Sequence, residues 1–324
     1  MPSLLQLKDI RVEFMIRRQL FRSLPVRAVD DVSLEIRRGE TMALVGESGS
    51  GKTTLGRASL KLLDVKSGHI LFDGHDITNY HESRLKWFRK RAQYIFQDPY
   101  SSMDPFMNVY QILEEPLVIH GISERKDRIN DALRSVHLTP PEDYIDRYPH
   151  MLSGGMRQRI GIARALMLKP EFIVADEPVS MVDASSRAEI LYLLQDLQKG
   201  SHLSFLYITH DIATVRHFAH KLAVMYLGNI VEVGPPSRII ERPLHPYTQA
   251  LIESVPEPNP LNRLSERNVV PGEVPSPLDI PSGCQFHNRC PHAIPGLCDV
   301  IKPQLSEIEA GHEAACHLYS EHTE

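Results

Sequence analysis

The stretch Gly46-Glu47-Ser48-Gly49-Ser50-Gly51-Lys52-Thr53 decides how the rest of the chain is read. It fits G-x-x-x-x-G-K-[ST], a phosphate-binding loop. Its flanks supply the context the motif needs. The apolar run Thr41-Met42-Ala43-Leu44-Val45 enters it as a strand, and residues 52–63 leave it with a helical pattern. Glycines let the backbone curl until successive N–H groups converge on phosphate oxygens. The helix start adds a partial positive charge. In such a loop Lys52 bridges the β- and γ-phosphates, and the Thr53 hydroxyl ligates Mg2+. The expected triphosphate contacts are therefore Gly46, Glu47, Ser48, Gly49, Ser50, Gly51, Lys52, Thr53 and Thr54.

Working outward, short strand-like runs come first: residues 4–14, 32–36, 68–74 and 92–96. Residues 17–26 are polar and basic and read as an excursion between strands. Residues 99–164 change character, with helical periodicity at 108–119 and 123–137 and a convincing helix over 156–168. From residue 172 strands and helices alternate again: 172–175, 203–208, 221–226 and 230–233 as strands, 185–199 and 211–219 as helices. Strands alternating with helices imply a mostly parallel sheet covered on both faces. The fold expected is α/β, with a helical insertion at about 99–164.

Pro256, Pro258, Pro260, Pro271, Pro275, Pro277 and Pro281 make residues 256–281 an extended connection, since such a density forms neither helix nor central strand. It leads to a small tail that holds all four cysteines. The expected division is 1–255 for the nucleotide-binding domain and 256–324 for the connection and tail.

Bulk properties are those of an ordinary globular chain: 324 residues, 42% hydrophobic, 24% charged, net charge −5. They do not suggest a wholesale nucleic-acid binder. No apolar run approaches the roughly 18 residues of a membrane span. The opening residues lack a basic segment followed by an apolar core, so no secretory leader is expected. Trp87 reads as packing, and the basic run at 84–91 as a solvated helix face.

A second nucleotide element is Phe172-Ile173-Val174-Ala175-Asp176-Glu177. A buried strand delivers Asp176, which would hold Mg2+ directly or through water. Glu177 follows and can polarise an attacking water. Gln97 ends another strand and suits a residue that senses Mg2+ and that water. His210 follows the strand 203–208, where a γ-phosphate partner is expected. Leu152-Ser153-Gly154-Gly155-Met156 opens a helix: Ser153 is a good N-cap, and the glycines let N–H groups approach an anion.

In this order the motifs resemble an ATP-binding-cassette (ABC) ATPase over about residues 1–255. The resemblance implies a P-loop core with an antiparallel β-subdomain and a helical insertion. It implies two cassettes facing head to tail, with Ser153, Gly154, Gly155 and Met156 reaching the partner's ATP and Asp183 at the interface in Ser180-Met181-Val182-Asp183. It makes Glu177 the general base and His210 the γ-phosphate clamp, and it places Phe14 where the family stacks an aromatic on adenine. Met181 and Val182 depart from the commoner Ala-Leu, and Met156 from a common Gln; all are apolar or tolerated variants, and no catalytic position is missing.

The resemblance narrows at Phe96-Gln97-Asp98-Pro99-Tyr100-Ser101-Ser102-Met103-Asp104-Pro105, at Pro243-Leu244-His245-Pro246-Tyr247-Thr248 and at Gly283-Cys284-Gln285-Phe286-His287-Asn288-Arg289-Cys290-Pro291. These are similar to the ATPase subunits of oligopeptide/dipeptide importers, more to the F-type than to its D-type paralogue. That implies a D-type partner cassette, two transmembrane permease subunits, indirect work with an extracytoplasmic solute-binding protein, and a place on the cytoplasmic face of the membrane. Peptides are the expected solutes, with oligosaccharides or nickel open. The alternative is a soluble ABC ATPase of DNA repair or translation; such proteins usually carry two cassettes or coiled-coil arms, and this chain shows one cassette and no heptad run.

Cys284, Cys290, Cys298 and Cys316 are spaced C-x5-C-x7-C-x17-C. Four thiolates can complete a tetrahedral zinc site or a 4Fe-4S cluster, and free or structural thiols are the third alternative. His287, His292, His312 and His317 could substitute as zinc ligands. Resemblance to the peptide-importer tail favours the iron-sulfur cluster, in a structural role.

Overall fold

A computed structural model describes residues 3–19, 22–100, 102–254, 275–276 and 278–319. Most of the proline-rich connection, with Pro256, Pro258, Pro260, Pro271 and Pro277, lies outside the described residues. In chain order the elements are β1 (Ser3–Gln19), β2 (Arg22–Arg37), β3 (Thr41–Val45), α1 (Lys52–Ser59), β4 (Ser67–Phe72), β5 (His75–Asp76), α2 (Lys86–Arg91) and β6 (Ala92–Ile95). Then come α3 (Val109–Ile119), α4 (Arg125–Ser135), α5 (Gly154–Leu166), β7 (Phe172–Asp176), α6 (Ala184–Ser201), β8 (Ser204–Thr209) and α7 (Ile212–Phe218). The chain continues through β9 (Lys221–Tyr226), β10 (Asn229–Gly234), α8 (Pro236–Glu241), α9 (Pro246–Glu253), β11 (Ser306–Glu309) and β12 (His312–Ala314). The α/β class and the helical stretch after β6 agree with the sequence reading.

The chain divides into two compact units. The first comprises residues 1–5, 35–41 and 71–208. There β7 lies between β6 and β8, parallel to both, in register Ala92↔Phe172 and Phe172↔Ser204. Every residue of β7 is buried, which is why its run is apolar throughout rather than alternating. Helix α3 opens on a capping box: Asn108 Oδ1 accepts from the Gln111 N–H at 2.9 Å, and Gln111 Oε1 accepts from the Asn108 N–H at 3.0 Å. Arg164 of α5 donates to Ser102 O at 2.7 Å and Glu115 at 2.6 Å, tying that helix to the segment ahead of α3 and to α3 itself.

The basic run at 84–91 is less solvated than expected. Arg91 donates to Glu171 at 2.5 Å and to Asp73 at 2.6 Å, and Arg38 pairs with the same two carboxylates. Trp87 packs against Phe72 at a ring distance of 6.1 Å.

The second unit comprises residues 6–34, 42–70 and 209–324. Its β1 and β2 are hydrogen-bonded neighbours and far longer than the alternating apolar residues suggested. The stretch read as an excursion belongs largely to those strands. In the same unit β3 runs parallel to β9, in register Met42↔Lys221 through Val45↔Val224. Antiparallel β10, β12 and β11 follow outward. The cysteine-bearing tail thus returns as two strands on the edge of the sheet.

A buried carboxylate secures that return. Glu232 of β10 is fully buried. It accepts from the Leu244 N–H and the His245 N–H, each at 2.9 Å, and from the His312 ring at 2.7 Å. One side chain therefore joins β10, the entry to α9 and β12. Buried polar groups cost little when paired and much when orphaned. Replacing Glu232 with Leu strands three donors, and the expected loss is about 3 kcal/mol or more. Glu232→Gln keeps one acceptor and should lose roughly half as much. Urea unfolding midpoints measure both; a Leu variant as stable as wild type would contradict the account.

Candidate nucleotide site

The phosphate loop lies in the second unit, between β3 and α1. Parallel pairing of Val45 with Val224 sets the next residue, Gly46, against Met225. Gly46 has φ 155° and Gly51 φ 102°. A Cβ on Gly46 would run into the Met225 carbonyl oxygen, and one on Gly51 into that of Ala28. Only glycine satisfies both demands. The Gly228 N–H donates to Ser50 O at 2.8 Å and braces the loop from the β9–β10 turn.

Lys52 is buried, and its amine bends back over the loop, donating to Gly46 O at 2.8 Å, Glu47 O at 2.7 Å and Ser50 Oγ at 3.3 Å. Among the described residues no side chain caps α1, whose N-cap is Gly51 in the left-handed conformation. A curled backbone, a buried lysine amine and an uncapped helix start fit a bound triphosphate. Phe14 of β1 is partly exposed. His210 directly follows β8 in the chain and is exposed, and the Asp211 N–H donates to Thr209 Oγ1 at 3.0 Å.

The first unit brings Gln97, Asp176 and Glu177 together. Gln97 Nε2 donates to Glu177 Oε2 at 3.0 Å. Asp176, buried at the end of β7, accepts from the Tyr94 hydroxyl at 2.5 Å. Sequence reasoning overlooked Tyr94. Its signal was parity: β6 runs parallel to β7 with Tyr94 opposite Val174, two residues before Asp176. Glu177 has φ 44°, a conformation that costs a β-carbon residue about 1 kcal/mol or more. Hydrogen bonds hold it there: its N–H donates to Ile208 O at 2.9 Å, and its carbonyl accepts from the Ser180 N–H at 3.1 Å.

The same unit contains the second anion motif. Ser153 Oγ accepts from the Met156 N–H at 3.3 Å and caps α5. A Cβ on Gly155 would come within 3.0 Å of Ser186 Oγ, and one on Gly154 within 3.5 Å of Met181 O. The glycines therefore let the start of α5 lie close to the segment 181–186. Asp183 caps α6, accepting from the Ser186 N–H at 2.9 Å and the Ser185 hydroxyl at 2.5 Å, which hold its pKa down at about 2.

A glycine-curled loop between strand and helix, with an Asp-Glu pair ending a buried parallel strand, defines an α/β P-loop nucleoside triphosphatase. Comparison with known proteins specifies the family. The ABC transporter model matches residues 29–180, and that of the oligopeptide/dipeptide transporter C-terminal region matches residues 231–298. The oligopeptide transport ATP-binding protein AppF of Bacillus subtilis is 45% identical over 98% of both chains. A putative peptide import ATP-binding protein of Brucella ovis is 48% identical over 91% of this chain and 93% of its own. Among solved structures, a dimeric ATP-binding cassette in a post-hydrolysis state with ADP and phosphate is 26% identical, covering 72% of this chain and 99% of its own at TM-score 0.64. The cassette cbiO1 of Clostridium perfringens, part of an ABC transporter complex, is 27% identical over 75% and 92% at TM-score 0.65. The chain belongs to the ABC transporter family, as an ATP-hydrolysing subunit with the oligopeptide/dipeptide-type C-terminal region. As such it associates with transmembrane permease subunits and is peripheral, on the cytoplasmic side of the membrane. Among the described residues no helix is long and apolar enough to cross a membrane.

The expected 4Fe-4S cluster at Cys284, Cys290, Cys298 and Cys316 is overturned, and its zinc alternative loses its support. Among the described residues no group of three or more Cys, His, Asp or Glu is arranged to hold a metal ion, and the relatives are described as peptide import or transport ATP-binding proteins. All four cysteines are free thiols. Burial pushes Cys284 and Cys316 up to about 11 and raises Cys290, which favours thiol over thiolate. Cys298 Sγ accepts from the Ile294 N–H at 3.3 Å. The histidines face the chain itself: His287 Nδ1 lies 2.8 Å from Cys284 O, His317 Nε2 2.8 Å from Ile301 O, and His312 bonds Glu232.

His245 caps α9, its Nδ1 accepting from the Tyr247 N–H at 3.0 Å. Burial drives its pKa down to about 3, so the ring is neutral in the fold. The unfolded chain binds a proton near 6.5 that the folded chain refuses. Stability from this group is complete above that value and is lost as pH falls toward 3. Between pH 6.5 and 5 the loss reaches up to about 2 kcal/mol. Unfolding midpoints across that window should drop, and His245→Asn, which keeps a capping acceptor without titrating, should flatten the dependence. An equally steep profile in that variant would contradict this.

Proposed function

We propose that this subunit energises import of peptides, as an F-type ATPase paired with a D-type paralogue on two permease subunits supplied by a solute-binding protein. The observation that carries the reading is the match of both the cassette and the oligopeptide/dipeptide-type C-terminal region in one chain, with near full-length similarity to a peptide transport ATPase. Nothing on the chain favours oligosaccharides, nickel, or soluble work in DNA repair or translation. The division into a nucleotide-binding domain over 1–255 and a C-terminal region over 256–324 belongs to this proposal.

The loop 46–54 holds the triphosphate, Lys52 meets its outer phosphates, and Phe14 stacks on the adenine. Mg2+ would be held through Thr53, Asp176 and Gln97, where it neutralises charge on the phosphate oxygens. Glu177 accepts the proton of the attacking water, steered by Gln97, and His210 steadies the γ-phosphate. Ser153, Gly154, Gly155 and Met156 serve the partner cassette's ATP, with Asp183 at that interface. The Gln97–Glu177 hydrogen bond supports this pairing of roles, because it would orient the base.

Purified with its partners in proteoliposomes, the complex should take up labelled oligopeptide in an ATP-dependent way and ignore maltose-type sugars and nickel. Uptake of sugar or nickel instead would refute the solute assignment. Glu177→Gln should lower ATP turnover at least about 100-fold while leaving MgATP binding intact. Near-normal turnover in that variant would remove Glu177 as the base.

A further inference from the structure

Glu47, the second residue of the phosphate loop, is held at both its ends by the C-terminal region. Its N–H donates to the Tyr247 hydroxyl of α9 at 2.8 Å. Its carboxylate accepts from Arg289, with Nη1 3.1 Å from Oε2 and Nη2 3.3 Å from Oε1, fork on fork. Arg289 is only 7% exposed. Its Nη1 also donates to the Tyr226 hydroxyl at 3.3 Å. Tyr226, Tyr247 and Phe286 are fully buried and meet tilted or edge-to-face at ring distances of 4.6–5.4 Å, so the arginine stands on a closely packed aromatic floor. A guanidinium this dry has little freedom to look elsewhere.

A carboxylate within a loop that receives a triphosphate is electrostatically adverse unless it is neutralised. Two like charges about 10 Å apart at an effective dielectric near 20 repel by roughly 1.7 kcal/mol, about a tenfold change in affinity or somewhat more. We propose that Arg289 is a positioning residue of the phosphate loop: with Tyr247 it ties down Glu47 and cancels its charge, so that the C-terminal region sets the affinity for MgATP. The inference rests on the loop binding ATP and goes beyond it. It gives the region matched at 231–298 a part in nucleotide binding that neither motif supplies.

The test is displacement of a fluorescent ATP analogue by MgATP from the full chain, with kcat and KM alongside. Arg289→Met should raise Kd about tenfold and KM in parallel, with kcat at saturating ATP within about twofold of wild type. Adding Glu47→Gln to Arg289→Met removes the stranded charge and should lower Kd severalfold from that of the single variant. An arginine that only stabilises the fold leaves the Kd of the folded protein unchanged in the single variant. Unchanged Kd in Arg289→Met, or a double variant that binds no better than the single, overturns the proposal. Should Arg289→Met fail to fold, Tyr247→Phe removes only the hydroxyl that receives the Glu47 N–H. A severalfold rise in Kd supports the clamp, and an unchanged Kd overturns it. Wild-type chain that fails to bind MgATP would refute the nucleotide site itself, a result distinct from normal binding with silent variants.

Discussion

The parallel pairing of β3 with β9 is the constraint on which the nucleotide loop depends. Val45 opposite Val224 puts the chain leaving β3 against the carbonyl of Met225, and the chain entering α1 passes the carbonyl of Ala28. Neither passage admits a Cβ. The loop's glycines are thus dictated by what lies behind the loop as much as by the phosphates in front of it. The β9–β10 hairpin completes the wall. Tyr226 pairs with Asn229, leaving Leu227 and Gly228 as a two-residue turn, both at positive φ as such turns demand. Gly228 then gives its N–H to Ser50 O and takes one from Asp30.

Behind that wall the C-terminal region is organised by buried polar groups. Glu232 gathers three donors, and neutral His245 accepts the first N–H of its own helix. Such groups contribute modest net stability but penalise every alternative register that would orphan them. Residues remote in sequence, such as Glu232 and His312, are thereby held to one arrangement. The four thiols belong to the same packing. Sulfur in apolar surroundings behaves as a small hydrophobe, and burial raises the pKa values of Cys284, Cys290 and Cys316 and keeps them protonated.

Motifs that act through backbone shape were legible in the sequence, because glycine, capping residues and strand-end carboxylates have few other uses in that order. Gly46–Gly51, the Asp176-Glu177 pair and Ser153 needed no structure to be found. Features resting on distant partners were not. The tail strands β11 and β12 are short and polar, and only pairing with β10 makes them strands. Tyr94, Tyr247 and Arg289 look like ordinary strand, helix and turn residues until their hydroxyls and guanidinium meet Asp176 and Glu47. The cysteine spacing misled for the opposite reason: it is a strong pattern whose chemistry depends on geometry that spacing does not carry. C-x5-C-x7-C-x17-C places four thiols in one tail, yet burial and the backbone commitments of nearby histidines decide what they can bind.

Cap accounting separates the nucleotide loop from the other helix starts. Among the described helices of eight or more residues, α3, α5, α6 and α9 each have a side chain accepting a first-turn N–H. Helices α1 and α4 have none. For α4 this costs little, because it starts at exposed Glu124, where water serves. Helix α1 begins beside Ser50 and Lys52, both buried. A glycine-curled backbone and a helix start with no side-chain cap suit an acceptor with several oxygens and negative charge, which is the chemistry a triphosphate brings. The neighbouring Glu47 carboxylate, the one acidic side chain of the loop, is paired with the Arg289 guanidinium, which keeps its charge from opposing a bound triphosphate.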